Sequence, residues 1–556
     1  MKIRILLAAL VVFSSISGAS AQPVIDASRV EDQLNLPQAT PDIAAPPVRP
    51  PLPSAPVPQG AETVRFFLKA VTIDGARIYP PSVWDELLAD MKNRDVSVAD
   101  LYRLAGQITN RYRADGYVMA QAFLPPQTLK DGVARILVIE PFIDEVKTEG
   151  AVPQGFIVQK TLAPWYRHKI LNVGDLETTL LRINDLPGVH VQSVIEPQPG
   201  HPTPGALALR LIFTKTPPLS GEVSFDNFGS KYIGPFQGGA RLTMDNLFGH
   251  MAETTLQIFT PTQMRELLYG NITHHIPALW SGFTFDLAAN YSRVVPGYTL
   301  SVNDVKSQSR TFSAGVTQSI IRSRSTNLAV SASLESRDST TKTLGTKLSE
   351  DKLTVAMVET AYETADGWSG LNAANIKLRQ GMNIMGARKT GSAGLSRLEG
   401  ESDFTSLQFQ VSRLQKITQE WSLYTNLRGQ YAPQPLLSSE EFGYGGNPTG
   451  RAYNASEIVG DRGLAGTIEA RYALTATPQL NLNPYAFYDI GKVWNIDKID
   501  GSDFSGASAG FGIKGALRNG IAFDTYIAQP LTRRIETPQY GSGHSPVFKF
   551  SLEYHF

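Results

Sequence analysis

The chain has 556 residues, 51 of them Lys or Arg and 51 Asp or Glu, so its formal charge is zero and it lacks the basic excess of a nucleic-acid binder. It contains no cysteine, which excludes disulfides, thiol chemistry and cysteine-ligated zinc. Mean hydropathy is −0.14, and past the N-terminus no apolar run approaches the roughly 20 residues of a membrane helix. The chain is therefore either soluble or crosses a membrane as a closed β-barrel.

Residues 1–21 have a basic start (Lys2, Arg4), an apolar run from Ile5 to Phe13 and small residues ending Ala19-Ser20-Ala21. This is the pattern of a secretory signal cleaved after Ala21. Residues 22–36 read either as a short plug helix, with Ser28 capping a turn that carries Val30, Glu31 and Leu34, or as an unstructured start. Residues 37–62 are a linker. Nine prolines between Pro37 and Pro58 favour a semi-rigid polyproline tether of roughly 70 Å at about 3.1 Å per residue.

Residues 63–141 form a first globular unit. A strand over Phe66–Ile73 turns at Asp74-Gly75, and a helix follows from Pro81 to Lys92. A second helix begins near Ser97 and sets Val98, Leu101, Leu104, Ala105, Ile108 and Tyr112 on one face. It stops at Asp115-Gly116, and strands 118–124 and 132–140 complete a β-α-α-β-β order. Residues 142–217 repeat that order, with a strand near 142–148, helices near 156–163 and 175–186, and strands near 189–196 and 206–213.

From 218 to 556 helical periodicity gives way to sixteen strand-length segments. They fall near 221–229, 238–248, 252–260, 266–277, 282–294, 311–323, 326–339, 352–365, 370–382, 403–417, 420–434, 463–474, 479–495, 505–517, 520–531 and 546–556. About 21 residues per strand, with connections alternating between short and long, is the pattern of an outer-membrane barrel. In the last segment Phe548, Phe550, Leu552, Tyr554 and Phe556 alternate with Lys549, Ser551, Glu553 and His555, so one face suits lipid and the other water. The expected fold is thus two α+β periplasmic units followed by an all-β, sixteen-stranded transmembrane barrel.

Gly116-Tyr117, Leu124-Pro125-Pro126-Gln127, Asp131-Gly132 and Ile139-Glu140, with Asp226-Asn227 and Asp245-Asn246-Leu247-Phe248-Gly249, resemble the ShlB/FhaC/HecB family. These are two-partner secretion transporters within the Omp85 group, whose periplasmic units are POTRA domains. Pro141 stands where that family commonly has glycine. The longest outer loop, Pro435 to Arg462, carries Gly450-Arg451-Ala452-Tyr453, which resembles the family's inward-folded Arg-Gly-aromatic tip with Ala452 in place of the glycine. Phe487-Tyr488-Asp489-Ile490-Gly491 matches the family's motif on the thirteenth strand.

The loop alone leaves Arg451 a solvated charge, but strand alternation turns Asp489 toward the lumen, where a carboxylate is tolerated. A guanidinium folded inward can meet it in a bidentate pair. Tyr554 and Phe556 are expected to form the outer-membrane insertion signal. Two apparent sites dissolve. Gly510-Phe511-Gly512-Ile513-Lys514-Gly515 fits a dinucleotide pattern, yet no helix follows it. His274 and His275 are neighbours on a strand and point to opposite faces. No catalytic constellation, metal site or cofactor is expected.

The resemblance implies a non-enzymatic translocator of the haemolysin-secretion type that captures an unfolded secreted exoprotein on its POTRA domains and exports it without ATP. Outer-membrane lipid and the membrane's assembly machinery are further expected partners, and nucleic acid is not. An Omp85-type assembly factor is the alternative, and a plain porin would have no use for two protein-binding units.

Overall fold

A helix of eight residues, α1 (Ala27–Leu34), opens the structure and stands apart in sequence from everything else. The computed structural model describes residues 27–34, 57–129, 131–153, 156–247, 251–277, 282–477, 479–496 and 503–556. The signal, nearly all of the proline tether and Phe248-Gly249 lie outside the described residues. Ser28 falls inside the first turn of α1, not before it as a cap.

The first unit contains β1 (Arg65–Leu68), β2 (Ala70–Asp74), α2 (Asp85–Ala89), β3 (Arg94–Ser97), α3 (Val98–Ala114), β4 (Gln121–Phe123) and β5 (Val133–Ile139). The single strand expected over 66–73 is broken at Lys69, whose N–H donates to Gly132 O (2.7 Å) as the chain changes partner from β3 to β5. The helix expected over 81–92 is a 3-10 turn, Pro81–Trp84, followed by the short α2. Strand β3 was not expected, because its only apolar residue is Val96, which is 1% exposed. Helix α3 starts with a reciprocal cap. Ser97 Oγ accepts from Asp100 N (3.2 Å), and Asp100 Oδ2 accepts from Ser97 N (2.8 Å). Leu101, Leu104, Ala105, Ile108 and Tyr112 are buried against Ala134, Ile136 and Val138 of β5.

The motif residues have structural roles. The Gln127 amide pairs reciprocally with the backbone of Arg135, donating to its O and accepting from its N, both at 2.7 Å. This ties the loop after β4 to the neighbouring central strand β5. Glu140, 2% exposed, accepts from Arg77 N and Ile78 N at 2.9 Å and from Tyr112 Oη at 2.6 Å.

The second unit contains β6 (Phe142–Gly150), α4 (Phe156–Leu162), α5 (Val173–Asn184), β7 (Val189–Pro197) and β8 (Ala206–Lys215). Its sheet order β6-β8-β7 repeats the β2-β5-β4 order of the first, with the first strand parallel to the central one in each case. At the joint, Asn172 Nδ2 donates to Asp115 O (2.9 Å) while its Oδ1 caps α5 through Gly174 N (2.9 Å). Gly116 lies at φ +91°, and a Cβ there would come within 2.8 Å of the Asn172 amide, so glycine is required both by conformation and by space.

The barrel runs β9 (Leu219–Asp226), β10 (Gln237–Asp245), β11 (Glu253–Pro261), β12 (Leu267–Pro277), β13 (Phe283–Val294), β14 (Lys306–Arg322), β15 (Thr326–Thr343), β16 (Thr346–Ala365), β17 (Gly370–Gly381), β18 (Thr405–Lys416) and β19 (Trp421–Tyr431). After the loop hairpin β20 (Phe442–Tyr444) and β21 (Ile458–Gly460) it continues with β22 (Arg462–Tyr472), its extension β23 (Leu474–Thr477), β24 (Leu480–Trp494), β25 (Phe504–Leu517), β26 (Ile521–Pro530) and β27 (Val547–His555). All neighbours are antiparallel, and β27 closes on β9 through Ser551↔Asp226 to His555↔Glu222. Counting β22 and β23 as one crossing, the barrel has sixteen strands. Asn227 reinforces the closure, donating from Nδ2 to Phe548 O (3.0 Å) and accepting at Oδ1 from Phe550 N (2.8 Å).

The long loop expected between 339 and 352 is instead strand. β15 and β16 pair to their tips and turn at Leu344-Gly345, with φ +49° and +77°, both in the left-handed region that a two-residue hairpin needs. Above the membrane neither face must be apolar, so this stretch carries no hydropathy signal of a strand. Among the described residues no helix is long and apolar enough to cross a membrane.

Candidate functional site: a loop clamped inside the barrel

The chain leaving β19 does not stay outside. It folds back into the lumen as the β20–β21 hairpin, pairing Phe442↔Gly460 and Tyr444↔Ile458. Its tip is a turn in which Tyr453 N donates to Gly450 O (2.9 Å), with Gly450 at φ +106°. Ala452 is 2% exposed and lies outside the left-handed region, so an ordinary residue replaces the family's glycine there without strain.

Arg451 is held on all sides. Nε donates to Asp489 Oδ2 (3.1 Å), Nη2 to Asp489 Oδ1 (2.8 Å) and to Thr467 Oγ1 (2.7 Å), and Nη1 to Glu469 Oε2 (2.6 Å). Its backbone N–H also donates to Asp489 Oδ2 (2.9 Å). The guanidinium sits 3.4 Å from the ring centroid of Phe487, a cation–π contact strengthened by burial. Side-chain exposure is 4% for Arg451, 2% for Glu469 and 0% for Asp489. Glu469 in turn receives Arg471 Nε (2.6 Å) and Lys514 Nζ (3.2 Å), so the cluster alternates in sign through the wall.

The glycines around this clamp are recesses for aromatic rings. A Cβ at Gly491 would lie 2.1 Å from Tyr444 Cδ2, and one at Gly510 would lie 2.6 Å from Phe487 Cζ. The glycine-rich stretch of β25 thus makes room beneath the clamp. Tyr453 anchors the other side of the tip, donating from Oη to Ala507 O (2.8 Å). The structure therefore brings Gly450, Arg451, Tyr453, Phe487, Asp489 and Gly491 together. Sequence reasoning missed Glu469 and Thr467 as partners of Arg451. Both face the lumen by alternation, but only the register Thr467↔Asp489 and Glu469↔Phe487 reveals their proximity.

It also missed a second buried cluster at the root of the loop. Glu440 is gripped by Arg379 (Nε to Oε2, 3.1 Å) and Arg337 (Nη1 to Oε1, 3.4 Å), and Glu441 by Arg397 (3.5 Å) and by Arg29 of α1 (3.4 Å). Helix α1 thus lies in the lumen. Its Ala27 N donates to Ser307 Oγ (3.0 Å), its Ala27 O accepts from Ser292 Oγ (2.5 Å), and Ala27 and Val30 pack on Leu267, Tyr269 and Val294.

The remaining expected residues lie elsewhere. Tyr554 and Phe556 stack at 6.1 Å on the outer face of the closing strand, and Phe556 exchanges two backbone hydrogen bonds of 3.0 Å with Gly221. His275 Nδ1 pairs with Asp286 (2.6 Å) and His274 Nδ1 with Thr254 (2.9 Å), on opposite faces of β12. Among the described residues no group of three His, Cys, Asp or Glu is placed to hold a metal.

A closed sixteen-stranded barrel with POTRA-type units at its periplasmic end and a loop folded through its lumen defines an outer-membrane transporter of the Omp85 fold. Residues 206–514 match the family described as haemolysin secretion/activation protein ShlB/FhaC/HecB, and residues 66–141 match the ShlB-type POTRA domain. The chain belongs to the ShlB/FhaC/HecB family and is a two-partner secretion transporter, its barrel in the outer membrane and its POTRA units in the periplasm.

It is 24% identical to the heme/hemopexin transporter protein HuxB of Haemophilus influenzae over 82% of each chain. It is also 24% identical to the hemolysin transporter protein ShlB of Serratia marcescens over 84% of this chain and 82% of that one. The structure of CdiB from Escherichia coli superposes with a TM-score of 0.76 at 20% identity, covering 93% of this chain and 94% of that one. BamA from Haemophilus ducreyi superposes at 0.50 and 12% identity over 88% of this chain and 100% of that one, a likeness of fold alone.

Proposed function

We propose that the transporter captures an unfolded exoprotein on the free edges of its POTRA sheets and passes it through the barrel once α1 and the loop between β19 and β22 withdraw. One observation carries this reading: the lumen holds two elements, α1 and the β20–β21 hairpin, neither of which pairs with a wall strand among the described residues, so both can leave without unfolding the barrel. Strands β4 and β7 each pair on one side only among the described residues, and an extended client adds to such an edge through main-chain bonds with little sequence demand. Without nucleotide in the periplasm, folding of the client outside would draw export forward, with no catalytic step.

In this reading residues 22–36 are the plug, residues 37–62 its tether and residues 63–141 and 142–217 the capture units. Arg451 and Asp489 are the latch of a two-state gate. Tyr554 and Phe556 form the signal by which the membrane's assembly machinery inserts the barrel of residues 218–556. Deletion of the transporter should trap one large exoprotein while other outer-membrane proteins keep their levels. A broad loss of barrel proteins would favour the assembly factor instead. In planar bilayers, a chain lacking residues 22–58 should conduct more than the full chain, and equal conductance would remove the plug from the scheme.

A further inference from the structure

Strands β13 to β16 carry on their outer face an arrangement that neither the clamp nor the POTRA units use. On β14 the residues Lys306, Gln308, Arg310, Phe312, Ala314 and Val316 are exposed, while Ser307, Ser309 and Thr311 between them are buried toward the lumen. The cross-strand row Leu287↔Ala314↔Leu334↔Ala356 lies in the apolar band. Because Ala314, Ala332 and Ala356 are small while Phe285, Leu287, Val316 and Val358 stand high beside them, the band carries a shallow, open groove of about 630 Å³.

Four residues nearer the outer surface, about 13 Å along the strand, Arg310 lies opposite Tyr291 on one side and Asp338 on the other, with Lys352 beyond Asp338. Further out Arg293 faces Gln308, and Lys306 faces Lys342. Like charges directly opposite on a sheet destabilise it, and only the Lys306 member of this pair is met by an anion of the chain. The ion pairs present are Lys306 with Asp304 (2.9 Å) and Lys352 with Asp338 (3.8 Å). The side chains of Arg293, Arg310 and Lys342 make no hydrogen bond or ion pair among the described residues.

Unpaired cations directly above an apolar groove are complementary to a lipid with a phosphorylated headgroup, and clustered Lys and Arg at a bilayer surface bind such heads. Barrel strands tilt by about 35–45°, so about 13 Å along the strand is a depth of about 10 Å, which keeps the groove within the roughly 15 Å of hydrocarbon of one leaflet beneath the Arg310 row. The outer leaflet of this membrane supplies phosphorylated glycolipid of the lipid A type. We infer that β13 to β16 form a specific glycolipid site, with Arg293, Arg310 and Lys342 on the phosphates and one acyl chain in the groove lined by Ala314 and Ala332.

The test uses the full chain purified from outer membranes in mild detergent, with retained glycolipid counted by native mass spectrometry. Two variants, the triple R293A/R310A/K342A and the groove-filling A314L/A332L, are first checked for a closed barrel by heat-modifiable gel mobility. The wild type should retain one glycolipid per barrel, and each variant should retain at least tenfold less. Absence of glycolipid from the wild type, or undiminished retention in either variant, overturns the site. So does displacement of the glycolipid by phosphatidylglycerol or inorganic phosphate as effective as that by added lipid A.

Discussion

Arg451 is a buried cation whose nearest charges are two carboxylates, and that ratio decides what each substitution does. Removing one partner of a buried pair costs about 3–5 kcal/mol because the other charge is left uncompensated. Asp489→Asn should therefore unseat the loop tip, read as increased protease cleavage within residues 435–461 and a higher open probability in bilayers. Arg451→Lys keeps the charge but loses the planar fork that reaches Asp489, Glu469 and Thr467 together, so its effect should be intermediate. In a charge swap, R451D and D489R should each be inactive in secretion and the double variant should recover partly, since the introduced carboxylate would still face Glu469. Adding Glu469→Gln should raise that recovery, and a swap that recovers nothing in either background would refute direct coupling. Gly491→Ala should act through shape alone. Its Cβ would occupy the space of the Tyr444 ring, so the barrel should close while loop cleavage rises. Asp489 was legible in the sequence because alternation needs only its neighbours Tyr488 and Ile490. Glu469 was not, because closeness across strands depends on register.

Whether an element could be read from its residues depended on whether a solvent boundary marked its faces. The helix α3 was legible, since Leu101, Leu104, Ile108 and Tyr112 recur at helical spacing and all are buried. The outer halves of β15 and β16 were not, because water lies on both sides of them. The N-terminal cap of α3 gives a pH prediction. The Ser97 backbone N–H donated to Asp100 holds that carboxyl below its usual range, so its contribution is present above the unfolded value of about 3.9 and is lost as pH falls through the folded value. Asp100→Ala should lower amide-exchange protection of α3 at pH 7 by roughly fivefold to tenfold, about 1 kcal/mol. The difference between variant and wild type should shrink as pH falls below the unfolded value and through the folded one.

For the whole molecule, the tandem units and the sixteen crossings follow from spacing, but the way the second unit seats on the barrel does not. Met251, from the periplasmic turn between β10 and β11, is 7% exposed and lies in the second unit's core with Leu186 and Ile183. Arg322 forks onto Asp185 at 2.7 and 2.9 Å, and Arg324 pairs with Glu177 at 2.9 Å. These ion pairs are part-exposed and worth about 0–1 kcal/mol each, whereas truncating a buried Met costs about 2–5 kcal/mol. Met251→Ala should therefore broaden spin-label distances between the second unit and the barrel, while Asp185→Asn should leave them nearly unchanged. A methionine in a turn whose sequence also carries Leu247 and Phe248 gives no sequence sign of which apolar residue will enter which neighbour.

The position of α1 also orders the events of biogenesis. Its partners in the lumen come from β12, β13, β14 and the root of the loop between β19 and β22, so it has nowhere to dock until those pieces are assembled around it. With α1 as the proposed plug, a newly inserted copy would pass through an unplugged interval, and the time the helix takes to find its seat would set how long each new transporter leaves the outer membrane permeable.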